Sequence, residues 1–128
     1  MGDKALCYRT SLSHIDESTI KVTVEERSES FMSVLTLSDS YFSLTLTTGI
    51  NSFTLRSNIK RVVHGIGGYS LQDDSGENID IRENIFTGDL KVESRYGVIV
   101  FPCSDKIGRR ILSHLKKISG LFESSGSE

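Results

Sequence analysis

The clearest concentration of chemically useful side chains in this 128-residue sequence is a group of basic residues near its C-terminus. The segment from Asp105 to Gly120 carries five positive charges against one negative charge: Lys106, Arg109, Arg110, Lys116 and Lys117. These charges suit either a solvated helix face that balances acidic strands, or a contact surface for an acidic protein segment or a nucleic-acid backbone. Lys60 and Arg61 would extend that surface if the fold brings them close. Because no aromatic residues are interleaved with the charges, we do not expect a base-stacking platform.

Metal binding and catalysis have no comparable pattern in the sequence. Cys7 and Cys103 are not placed with each other or with a histidine at the spacing of zinc ligands. Cys103 is interpreted as a buried cysteine, although its position before a helix could lower the pKa of its thiol. The acidic residues fall in turns or on polar strand faces, where we expect no apolar pocket to shift a pKa. We therefore predict a protein that is not an enzyme, without metal or cofactor.

Two glycine-containing segments resemble ligand loops only in part. The run Gly65-Ile66-Gly67-Gly68 lacks the lysine and the following helix of a phosphate-binding loop. In the segment Asp73–Glu77, a calcium loop with Gly76 at its sixth position would begin at Leu71, which cannot bind calcium. The first segment is interpreted as a flexible hairpin or a bulge, and the second as a hairpin turn.

Composition limits the class of protein. Hydrophobic residues make up 37% and charged residues 25% of the chain, which is typical of a globular protein. We predict one domain over residues 1–122 and a disordered tail over 123–128. Two distant cysteines, no membrane-length apolar run and no signal-peptide pattern favour an intracellular protein, cytoplasmic or nuclear.

The basic residues are positioned by a predicted amphipathic helix. Its apolar residues recur at intervals of four, four and three, which places them on one helical face: Ile107, Ile111, Leu115 and Ile118. Pro102 and a Ser104 N-cap mark its start, and Gly120 is predicted to end it in a left-handed conformation.

Alternating apolar and polar residues predict strands throughout the preceding chain. Ile20, Val22 and Val24 form one such series, and Phe42, Leu44 and Leu46 form another. We predict a mostly β, α+β fold in which seven or eight short antiparallel strands form a sheet or a partly open barrel, capped by the helix.

This arrangement resembles the pleckstrin-homology-like superfold, and the passage from Val98 to Asp105 is similar to how such domains enter their final helix. The resemblance implies a non-enzymatic domain that binds phosphoinositides, peptides or proteins, in some cases within chromatin or chromosome-associated assemblies. Phosphoinositide binding is disfavoured here because the candidate loops 14–18 and 25–29 are acidic and would repel an anionic headgroup.

The resulting functional hypothesis is an adaptor or scaffold module for protein–protein interaction. Its expected mode is capture of a peptide or helix between the terminal helix and an adjacent strand edge, with homodimerisation through the same edge as a variant. A nuclear or chromosome-associated complex is one expected setting. The alternative is nucleic-acid or chromatin binding through the basic helix, and membrane-lipid binding is the least favoured option.

Overall fold

The computed structural model describes residues 8–26, 31–101 and 105–126, which form ten strands and one helix. The strands are β1 (Tyr8–Asp16), β2 (Thr19–Glu26), β3 (Phe31–Leu37), β4 (Tyr41–Thr48), β5 (Asn51–Asn58), β6 (Arg61–Gly65), β7 (Gly68–Gln72), β8 (Asn78–Glu83), β9 (Leu90–Ser94) and β10 (Gly97–Phe101). The helix is α1 (Asp105–Gly126). The predicted class, mostly β with one C-terminal helix, is confirmed.

The strands form two antiparallel sheets of five, each in simple sequential order. The first sheet contains β1 to β5, and the second contains β6 to β10. The prediction of seven or eight strands in a single sheet or partly open barrel was therefore wrong. The count was too low because even five-residue segments between turns, such as Arg61–Gly65 and Leu90–Ser94, find antiparallel partners.

One hydrophobic core is shared by both sheets and the helix. The alternation in β2 is confirmed, since Ile20, Val22 and Val24 are all buried. The second sheet contributes residues from the same alternation, and α1 contributes one face: Leu71, Ile79, Ile81, Leu90, Val92, Ile99, Phe101, Ile111, Leu115 and Ile118. Each sheet therefore buries one face and leaves the other exposed.

The turns at one end of the second sheet lie along β5. The rings of Phe53 on β5 and Tyr96 in the β9–β10 turn have centroids 6.3 Å apart. The hydroxyl of Ser57 on β5 contributes to the lowered pKa of the Asp73 carboxylate in the β7–β8 turn, so the two side chains lie close together. These contacts join the last strand of the first sheet to the end of the second.

The helix runs beyond its predicted end. Gly120 does not terminate it, because α1 continues to Gly126 and includes the first four residues of the predicted tail. The apolar stripe explains the continuation, since Phe122 lies one turn after Ile118 and packs against the core. This packing outweighs the cost of about 1 kcal/mol for glycine inside a helix. The predicted break at Pro102 and the Ser104 N-cap lie outside the described residues.

Candidate partner-binding surface on the terminal helix

The five basic residues of α1 lie on its solvent side, opposite the buried residues Ile111, Leu115 and Ile118. At about 100° per residue they form two rows along the helix. All five are exposed, and together they are called the cationic face: Lys106, Arg109, Arg110, Lys116 and Lys117. At about 1.5 Å per residue the face is roughly 17 Å long. The predicted clustering of these residues on one surface therefore follows from the position of the buried stripe.

The charges of the cationic face are not neutralised by the side chains that the structure describes. Among the side chains that the structure describes, the ion pair present is Arg95 with Glu77, at 3.5 Å, on the second sheet. Lys117 Nζ donates to the backbone carbonyl of Glu17 at 3.5 Å, which leaves its charge unbalanced. Such a surface attracts anionic groups, most strongly at low ionic strength.

Lys60 and Arg61 are exposed, the first just before β6 and the second at its start, and α1 packs against this strand. The backbone N–H of Lys60 donates to Gln72 O, which fixes the chain where it passes from β5 to β6. The helix and these two basic residues thus belong to neighbouring elements, and β6 is the strand edge adjacent to the helix.

His114 connects α1 to the first sheet. Its Nε2 lies 3.1 Å from the carbonyl oxygen of Leu37, so the Nε2–H tautomer donates a hydrogen bond to the end of β3. Burial lowers the pKa of His114, and the charges of Lys117 and His14 lower it further, while the bond to Leu37 acts in the opposite direction. Nothing in the spacing of residues along the sequence marks His114 as a contact residue. Its partner, 77 residues away, could be identified only from the fold.

The outer face of β8 to β10 contains a shallow groove of about 290 Å³. Its lining carries charges of both signs: Arg82, Glu83, Asn84, Asp89, Leu90, Lys91 and Val100.

The described aspartates with shifted pKa values lie elsewhere, in turns. The backbone N–H of Ser18 lowers the pKa of Asp16. For Asp73, burial raises the pKa, but hydrogen bonds from Ser57, Ser75 and Glu77 outweigh it and the pKa is lowered. These carboxylates hold turns together.

Candidate metal ligands are dispersed in the described part of the chain, which contains no group of three or more His, Cys, Asp or Glu side chains able to hold an ion. Cys7 and Cys103 lie outside the described residues. Among the helices that the structure describes, none has the length and hydropathy needed to cross a membrane.

Comparison of the chain with protein-family models, curated proteins and solved structures gives no match. The pleckstrin-homology-like resemblance therefore stays a prediction from the sequence pattern.

Proposed function

We propose that this protein is a non-catalytic interaction module, an adaptor or scaffold, that binds an acidic protein segment through the cationic face of α1. The observation that carries the proposal is the set of five exposed basic side chains without an ion-pair partner among the described residues. An acidic peptide or helix would supply the missing carboxylates, to which arginine can bind through two parallel hydrogen bonds.

The length and position of the surface favour a short segment. A face of about 17 Å matches roughly three turns of a helix or five extended residues. Arg61 on the neighbouring β6 and Lys60, the residue before it, provide further positive charge. A peptide that lies along the cationic face and reaches the start of β6 would pair with both groups of charges.

A protein partner is favoured over nucleic acid for two reasons. The whole chain has a net charge of −2, which opposes the approach of a long polyanion. Phe122, the aromatic residue of α1, is half-buried and packs against the core, so the cationic face has no ring on which a base could stack. The proposed setting is an intracellular complex, with a nuclear or chromosome-associated assembly as one possibility for the adaptor.

The test is a pull-down from nuclease-treated lysate with the wild-type chain and two charge-reversal variants. Arg109→Glu with Arg110→Glu reverses the centre of the cationic face. The matched control is Arg56→Glu with Arg82→Glu, which reverses two exposed arginines on the outer faces of the two sheets. We expect a discrete acidic protein that the control retains and the helix variant loses.

Binding that both variants retain would exclude the cationic face as the site. If the captured proteins disappear with nuclease, the alternative of nucleic-acid binding is favoured. That alternative also predicts affinity for a duplex oligonucleotide that falls steeply with salt. Co-sedimentation with phosphoinositide vesicles would instead support lipid binding, the least favoured option.

A further inference from the structure

β10 is the edge strand of the second sheet and, among the strands that the structure describes, pairs with β9 alone. Its residues, Gly97–Phe101, include no charged or polar side chain. The strands at the other sheet edges differ, since β1 carries serines and Asp16, β5 carries Arg56, and β6 carries Arg61 and contacts α1. Proteins usually protect exposed edges with charge, proline or a covering element. β10 has none of these devices among the described residues.

The backbone of β10 presents hydrogen-bonding groups to the open edge. A two-residue turn joins β9 to β10, so the closing pair, Ser94 and Gly97, is hydrogen-bonded. Antiparallel pairs alternate between hydrogen-bonded and non-hydrogen-bonded, which directs Ile99 towards β9. The N–H and C=O groups of Val98 and Val100 therefore point away from β9, where a further strand can bind them.

The side chains next to this edge are arranged in two rows of opposite charge. Val98 and Val100 lie on the outer face and are 53% and 52% exposed. Glu93 and then Asp80 continue the row of Val98 across β9 and β8. The row of Val100 continues through basic residues, Lys91 and then Arg82. An acidic row and a basic row thus both end in an exposed valine.

We propose that β10 pairs antiparallel with β10 of a second copy of this chain, about a two-fold axis at Ile99, to form a continuous ten-stranded sheet. Val98 then lies opposite Val100 of the second copy, and the two residues exchange both backbone hydrogen bonds. The same pairing repeats on the other side of the axis, as a two-fold interface requires. The exposed valines pack on each other across the junction.

Charge favours the antiparallel arrangement weakly and mainly at low ionic strength, because the nearest charged side chains of the two copies are three strand spacings apart, about 14 Å. In this pairing the acidic row of Glu93 continues, past two valines, into the basic row of Lys91 of the second copy. Parallel pairing in register would instead align each acidic row with the acidic row of the other copy, and each basic row with the other basic row, which is unfavourable. The β10 edge of a second copy is thus complementary to that of the first in hydrogen bonding, shape and charge.

The dimer would present two cationic faces at once. An interface formed by one five-residue strand is small, so the association is weak and depends on concentration. A partner with two acidic segments would nevertheless bind both faces with increased avidity. The pairing itself does not involve α1 and does not depend on the proposed acidic partner.

Sedimentation equilibrium over a range of protein concentrations tests the pairing. We expect a monomer–dimer equilibrium for the wild-type chain and, for Val100→Lys, an association constant lower by at least about tenfold, since a lysine here protects the edge. The matched control, Val63→Lys, replaces an exposed valine on the opposite edge of the same sheet and is expected to dimerise like the wild type. Thermal unfolding checks that both variants fold.

Two results would overturn the proposal: a wild-type chain that stays monomeric at its highest soluble concentration, or equal weakening by Val63→Lys. The register is tested by mixing a Val98→Cys chain with a Val100→Cys chain, each with Cys7→Ser and Cys103→Ser. We expect a disulfide between the two different chains on oxidation. Failure to cross-link the mixture, or cross-linking of Val98→Cys chains with each other instead, would contradict the antiparallel pairing.

Discussion

The two edge strands of the second sheet, β6 and β10, are the same length and differ in what lies beside them. β6 carries Arg61 and the exposed His64, and α1 packs against it. β10 consists of glycine and apolar residues, and among the described strands it has β9 as its sole partner. One edge packs against a helix of the same chain, and the other has no further strand beside it among the described strands.

Because of this difference, we expect β6 and β10 to bind partners in two different ways. At β6 the covering helix turns its apolar side inward and its charges outward, so recognition there is electrostatic and sensitive to salt. At β10 the backbone itself is the binding group, so recognition depends on strand register more than on charge. The packing of the helix on β6 can be tested by substitutions in α1 and in the hairpin that follows β6.

The largest effect is expected from Leu115→Ala. Leu115 is fully buried in the face that α1 turns towards the core, and its truncation leaves a cavity between helix and sheets. We expect the free energy of unfolding, measured by urea denaturation, to fall by about 2 to 5 kcal/mol.

The control for Leu115→Ala is Leu121→Ala, since Leu121 lies on the same helix and is 51% exposed. Its free energy of unfolding should change by less than about 0.5 kcal/mol. Equal losses for the two variants would mean that the helix is not held by its apolar stripe, and the description of β6 as a covered edge would then be wrong.

The next effect is at Gly68, where β7 leaves the turn that follows β6. A Cβ atom there would collide with the backbone carbonyl oxygen of Ile81 on β8. Because a backbone atom cannot move aside cheaply, Gly68→Ala should destabilise the fold by about 1 to 3 kcal/mol in thermal or urea unfolding. Gly65→Ala, in the same hairpin, meets no atom within 4 Å and should be nearly neutral. A neutral Gly68→Ala would refute the close approach of β7 and β8.

The sequence predicts where the strands and the helix lie better than it predicts which strands pair with each other. Period-two alternation at Ile20, Val22 and Val24 and the stripe ending at Ile118 are local signals, and both identified the buried residues. The division into two sheets is not local, because Ile59 and Lys60 alone separate β5 from β6, and nothing in those two residues marks a change of sheet. The position of β10 at an edge could not be predicted either, since an edge is defined by the absence of a neighbour, here among the described strands.

Gly120 shows that packing can override a local sequence signal within a single helix as well. Its position after two lysines is typical of a helix end, but the packing of Phe122 continues the helix. Gly120 is exposed, and a Cβ atom there meets nothing within 4 Å. Gly120→Ala should therefore raise the free energy of unfolding by about 0.5 to 1 kcal/mol. Destabilisation would instead support the predicted left-handed helix end at this residue.

The smallest expected effect is a pH dependence at the contact between helix and first sheet. His114 has a lowered pKa in the folded chain, caused first by burial and then by Lys117 and His14. The unfolded chain therefore binds a proton at this histidine more readily than the folded chain. The stabilisation is present above the ordinary pKa of histidine and is lost as the pH falls below it.

Urea unfolding between about pH 8 and pH 5 measures how protonation of His114 changes the free energy of unfolding. We expect His114→Gln to flatten the fall in unfolding free energy at low pH, and the exposed neighbour variant Ser113→Ala to keep the wild-type slope. If His114→Gln keeps the wild-type slope as well, the contact between helix and sheet does not disfavour protonation of His114. The hydrogen bond to Leu37 would then position the helix over the sheets without making that position sensitive to pH.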